Sequence, residues 1–222
     1  MTLKVFAVGT LIWLPTAFLL ALGRLARQRF VRVLSTVVVE FFRGSSAVVQ
    51  LFFAFFVLPL AGINLSPFVV AVVVLGLNEG SYASEIVRGA LLAVPKPQLD
   101  AAAVLGINGV RRLRRVVLPQ ALPIMIPPFG NAAIEFLKFT SFVSLITVSD
   151  LTFRAQLVLD NTFAPGAMFT FLLVAYYVLA LLISLVTRLL ESRFPTVGTR
   201  VSPEIRAQGS MRGLALRGLV GR

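Results

Sequence analysis

Runs of about twenty apolar residues, the length a bilayer core of roughly 30 Å demands of a helix, recur along this chain with basic residues gathered between them. They occupy residues 3–23, 46–63, a stretch opening at Pro67, a stretch opening near Ala121, and 168–187. Arg24, Arg27, Arg29 and Arg32 follow the first run. Lys96, Arg111, Arg112, Arg114 and Arg115 follow the third, and Arg188 and Arg193 close the fifth. Short loops rich in Lys and Arg stay in the cytoplasm. All three basic clusters therefore agree on one arrangement: an all-α integral membrane protein of five transmembrane helices, N-terminus outside and C-terminus cytoplasmic. The first run leads into Arg24 and Arg27 and not into a small-residue cleavage site, so no cleavable signal is expected.

Composition supports this placement. Of 222 residues, 58% are hydrophobic, and the net charge is +12. A basic excess also occurs in nucleic-acid binders, but here the cations flank apolar runs, and membrane topology explains them. The chain has no Cys and no His. That excludes disulfides, thiol or imidazole catalysis and the usual zinc ligand sets, so no metal and no bound cofactor are expected.

Two runs are imperfect in an informative way. In the third, residues 68–77 are wholly apolar and cover about 15 Å at 1.5 Å per residue. The next part carries Asn78, Glu79, Tyr82, Glu85 and Arg88. A charge facing lipid costs a few kcal/mol, so this half must face protein or water. Glu85 and Arg88, three apart, are placed to pair as a structural ion pair. The fourth run contains Pro123, Pro127 and Pro128, which kink or break a helix. Asn131, Glu135 and Lys138 then share a face, and Thr140, Ser141 and Ser144 continue the polar line. Ionisable groups inside a membrane mark solute pathways. Asn78, Glu79, Tyr82, Asn131, Glu135, Lys138, Thr140 and Ser141 are the candidates. A zwitterion needs a partner of each sign, which Glu135 and Lys138 supply. Alternatively that pair holds helices in register, and Tyr82 serves as packing or as contact. Residues 149–166 form an outer connector with a short helix over 153–159.

Residues 98–123, QLDAAAVLGINGVRRLRRVVLPQALP, are too charged for lipid and too regular for a loop. Residues 99–105 suit a short helix, with Asp100 near its positive end. Gly106 fits the left-handed position that stops it. Asn108 suits the cap of a second helix over 109–117, and Pro119 and Pro123 punctuate the return to apolar sequence. Ala101, Ala102 and Ala103 give this knob a small smooth face suited to a partner's groove.

The knob resembles the coupling loop of ABC importer permeases, E-A-A, three residues, Gly, nine residues, Ile, one residue, Leu-Pro. Asp100, Ala101, Ala102, Gly106, Val116, Leu118 and Pro119 stand at that spacing, with Asp for Glu and Val for Ile. EFFRGSSAVVQLFF, residues 40–53, resembles the E-x-x-R-G-T-P-x-x-x-Q-x-x-F stretch of polar amino acid permeases, with Ser45 and Ser46 where Thr-Pro is usual. Residues 82–89, YASEIVRG, resemble that group's A-Y-x-x-E-x-x-R-G, with Ser81 where Ala is usual, and Gly130, Asn131 and residues 137–141, LKFTS, resemble its G-N-x-x-I-x-x-L-K-x-T-S. The resemblance implies a five-helix permease domain over residues 3–193, in a bacterial inner membrane. It implies a second permease subunit, identical or paralogous, an ABC ATPase dimer docked at the loop, and an extracytoplasmic solute-binding protein. The solute would be a polar amino acid of the His/Glu/Gln/Arg type; residues 146–156, ITVSDLTFRAQ, also resemble ectoine-type permeases. The opening MTLKV resembles the middle of a family pattern, which implies a shortened N-terminus or a late start.

No G-x-x-x-x-G-K-[ST] phosphate loop occurs, so ATP and Mg belong to the partner ATPase and the chain itself is no enzyme. A rival reading is a non-transporting scaffold or sensor that keeps the fold. Residues 194–222 turn to Arg, Gly and Ser, a basic cytoplasmic tail that is disordered or, near 211–220, drawn to anionic lipid.

Overall fold

The structure, a computed structural model, describes residues 1–162 and 164–194. Among them every regular element is helical. Helix α1 spans Thr2–Arg24, α2 Arg29–Gly44 and α3 Ala47–Phe52. The last runs on through a π turn, Phe53–Val57, and a 3-10 turn, Leu58–Ala61. Helix α4 is Pro67–Leu92, α5 Lys96–Val104 and α6 Gly109–Arg112. A second π turn, Leu113–Val117, joins α6 to α7, Leu118–Phe139, which ends in a 3-10 stretch, Thr140–Ile146. Helices α8, Leu151–Thr162, and α9, Pro165–Arg193, are the last among the described residues.

Four helical stretches are long and apolar enough to cross a membrane: α1, α4, Gly109–Ile146 and α9. A fifth exists if Arg29–Gly44 and Ala47–Ala61, bent by 100° at their junction, count as one broken span. The apolar runs at residues 3–23, from Pro67, from near Ala121 and over 168–187 fall on these four stretches, and two features differ in shape from expectation. The second run forms a helical stretch, Ala47–Ala61, that reaches spanning length only together with the bent segment before it, and the basic connector there is not a loop. Most of that connector is α2, whose inner side (Val31, Ser35, Val39 and Phe42) turns to the protein while Arg29, Arg32 and Glu40 lie exposed. Nor do Pro119 and Pro123 separate the knob from the fourth span. Pro119 enters a continuous helix because the preceding π turn widens the backbone where its ring would meet the carbonyl one turn back.

The ends of the elements follow local chemistry. Pro67 occupies the first turn of α4, and Ser66 caps it, its Oγ accepting from the Val69 N–H at 3.4 Å. Asp150 caps α8, accepting from the Phe153 N–H at 2.8 Å. Burial pushes the Asp150 carboxyl above its ordinary range, although the Phe153 bond pulls the other way.

The core lies between α1 and α4, with α7 closing one side. Gly76 and Gly80 let α1 approach α4. A Cβ at Gly80 would stand 2.7 Å from Thr16 Cβ and 3.0 Å from the Trp13 carbonyl oxygen. Close approach at small residues is how helices pack where lipid offers no hydrophobic drive. Trp13, Leu75, Met125 and Phe136 are fully enclosed, and Trp13 meets Phe129 edge-on at 5.7 Å between ring centres. Helix α9 packs on α7, yet none of its residues is buried, so it stands at the periphery. The tail over 195–222 lies outside the described residues.

Candidate functional site

The break between α2 and α3 opens one wall of a cavity of about 380 Å³. Ser45 and Ser46, both extended, and Ala47 and Val48 form that wall. Asn78, Glu79 and Tyr82 of α4 face it, and Glu135, Phe139 and Phe142 enter from α7 and its 3-10 extension.

Glu79 is 2% exposed and makes no hydrogen bond or ion pair with the described residues. A buried carboxylate without a partner is costly. Here it borders a cavity shared with a second carboxylate, Glu135. Asn78 spends its amide nitrogen on the break, donating to the Phe42 carbonyl at 3.0 Å and to Gln50 Oε1 at 3.1 Å. Tyr82 donates to the Arg43 carbonyl at 3.1 Å, and the Arg43 guanidinium lies over its ring at 5.5 Å.

Next to the cavity, Glu85 gathers three arginines from three helices. Its Oε1 accepts from Arg24 at 2.6 Å and from Arg43 at 3.0 Å, and Oε2 lies 3.5 Å from Arg88. Sequence reasoning named the local Glu85–Arg88 pair; the shorter contacts come from residues 61 and 42 positions away, which spacing on one helix does not reveal.

The remaining polar-face residues divide. Asn131 lines a different cavity of about 230 Å³, between α7 and α9, with Arg188 and Glu191. Lys138 is exposed, lines neither cavity, and makes no ion pair with Glu135 among the described residues. The Thr140 hydroxyl donates to the Leu137 carbonyl at 2.6 Å and that of Ser141 to the Lys138 carbonyl at 2.8 Å, so both hydroxyls serve the helix end. Gln50 and the wall over 45–48 were absent from the sequence candidates. An amide inside the apolar run VVQLFF is the signal that points to Gln50, since a polar group there needs a partner.

In the knob, Gly106 has φ +70° and closes α5 by a Schellman pattern. The Ile107 N–H donates to the Ala102 carbonyl at 2.9 Å and the Gly106 N–H to Ala103 at 3.0 Å. The smooth alanine face needs revision. Ala102 turns inward and is buried, one helical step of about 100° from its neighbours. The free surface is Ala101 and Ala103 with Val104, Leu105 and Val110, all strongly exposed. Asp100 and Pro119 are exposed, and Leu118 is half-buried.

The family model described as binding-protein-dependent transport system inner membrane component matches residues 14–195. The probable amino-acid ABC transporter permease protein y4tF of Sinorhizobium fredii is 44% identical over 182 residues, covering 79% of this chain and 76% of that one. The L-cystine transport system permease protein TcyB of Bacillus subtilis is 36% identical, over 87% of this chain and 81% of its own. The glutamine transport system permease protein GlnP of Escherichia coli is 34% identical, over 87% and 89%. A solved amino acid ABC transporter with histidines superposes with a TM-score of 0.81 at 30% identity, over 87% of this chain and 90% of that one. The inward-facing MetNI methionine ABC transporter, 20% identical with a TM-score of 0.70, shares the fold.

Proposed function

The chain belongs to the family of binding-protein-dependent transport system inner membrane components, and from that membership we propose that it holds a polar amino acid at Glu79 during import. It is a permease subunit of an ABC importer and an inner-membrane protein. The observation that carries the proposal is Glu79 itself, a buried carboxylate with no partner among the described residues, bordering a cavity whose other carboxylate is Glu135. An amino acid's ammonium satisfies Glu79 by a charge-assisted hydrogen bond, and the Asn78 oxygen, unused by the break, accepts a second. Relatives named for glutamine and cystine, and a similar transporter solved with histidines, support an amino acid as the cargo. The ectoine-type narrowing finds no support among these relatives, and no observation favours a non-transporting scaffold.

The rest of the machine follows from the family. Five spans, with the broken α2–α3 pair as the second, leave the N-terminus outside and the knob in the cytoplasm. There Ala101, Val104 and Leu105 dock into an ATPase subunit that uses ATP and Mg. A second permease subunit pairs with this one, and a solute-binding protein delivers the amino acid from outside. ATP-driven closure of the ATPases, carried through α5 and α6, alternates the cavity's access.

The test is binding of labelled L-glutamine, L-cystine and L-histidine to the purified permease–ATPase complex without binding protein. Glu79→Gln should weaken the preferred amino acid about tenfold or more, the scale of one hydrogen bond to a charged group. Unchanged affinity would remove Glu79 from the site.

A further inference from the structure

The 100° break between α2 and α3 leaves a problem that the chain solves with side-chain amides. In a continuous helix the Phe42 carbonyl would accept from the Ser46 N–H. Ser45 and Ser46 are extended, so that bond is not made. An orphan carbonyl in a membrane-embedded segment is expensive, and broken helices persist only where protein satisfies the freed groups.

Gln50 supplies the replacement. Its Nε2 donates to the Phe42 carbonyl at 3.0 Å and to Ser45 Oγ at 2.6 Å, and lies 3.5 Å from the Ser45 carbonyl. Ser45 Oγ in turn donates to the Phe41 carbonyl at 2.8 Å. On its other side Gln50 Oε1 accepts from Asn78 Nδ2, which also donates to Phe42. One amide thus ties the last turn of α2, the extended pair and the first turn of α3 to α4, beside Glu79.

We propose that Gln50 is a positioning residue for solute binding: it fixes the break that places Ser45, Ser46, Ala47 and Val48 on the cavity wall, and orients Asn78 so that its oxygen faces the solute. This rests on the cavity being the solute site. Gln50 itself is not among the cavity-lining residues; it acts through the backbone it holds and through Asn78.

The experiment replaces Gln50 by Met, which keeps length and removes every donor and acceptor used here. Affinities for labelled L-glutamine and L-histidine are measured on the permease–ATPase complex, beside Glu79→Gln. Melting temperature and ATPase co-purification are read on the same samples. The expected result is an affinity about tenfold weaker and an altered ratio between the two amino acids, with co-purification as in the parent and a melting temperature lowered but not lost, because Asn78 still donates to the Phe42 carbonyl. A role in fold stability alone would move the melting temperature and leave the ratio unchanged, which overturns the proposal. If Gln50→Met binds as the parent while Glu79→Gln is impaired, the proposal fails and the cavity reading stands. If neither variant changes affinity, the cavity reading fails and takes this proposal with it. Should Gln50→Met not accumulate in membranes, Gln50→Glu, which keeps size and the acceptor toward Asn78, is measured instead. Failure of both to accumulate makes Gln50 a folding residue and also overturns the proposal.

Discussion

Gly106 shapes the knob through its backbone alone. Its φ of +70° is a conformation that costs a residue with a Cβ about 1 kcal/mol or more. Among the described residues nothing beyond its two chain neighbours lies within 4 Å of a Cβ built there, so a larger side chain is expected to meet a partner and not this chain's own packing. Gly106→Val should leave the protein at normal levels in the membrane and reduce both ATPase co-purification and uptake. Normal values of both would make the knob a simple connector. Glu85 teaches a different lesson at the same scale. Its carboxylate binds Arg24, Arg43 and Arg88, and only the last is near in sequence. Charges on one helix can be paired by spacing; a charge cluster assembled from three helices is visible only once they pack.

At the scale of elements, what the sequence reveals depends on which force defines each boundary. Ser66 and Pro67 mark the start of α4 because capping and ring geometry act locally. The α2–α3 break and the π turn before Pro119 are less legible. The break is held by what lies across from it, the Gln50 and Asn78 amides, and the π turn makes room for the Pro119 ring, so neither is set by capping residues alone. Helical-face arithmetic fails in a related way on α7. Glu135 and Lys138, three residues apart, differ by roughly 60° in direction at about 100° per residue. That is enough to leave Glu135 in the cavity and Lys138 outside it. The orientation of the elements rests on the basic connectors. A reporter fused after Arg115 should read cytoplasmic, and one placed at Asp160 external; the opposite outcome at either site would remove the five-span arrangement.

For the whole molecule, the family was written in separated short motifs, and the match over residues 14–195 covers them. The cavity was not written there in the same way. Its residues come from the break, from α4 and from the end of α7, and Asn131, on the same polar face as Glu135, lines another cavity altogether. What joins these scales is a single claim, that energy delivered at the knob changes access to a cavity holding an amino acid at Glu79. The direct measurement is ATP-driven uptake of labelled amino acid into proteoliposomes containing this permease, its ATPase and its binding protein. Parent and Glu79→Gln are compared at equal incorporation and with matched ATPase co-purification. Uptake that requires ATP and falls about tenfold or more in Glu79→Gln is the predicted result. Undiminished uptake in that variant, or accumulation in the parent without ATP, would contradict the claim.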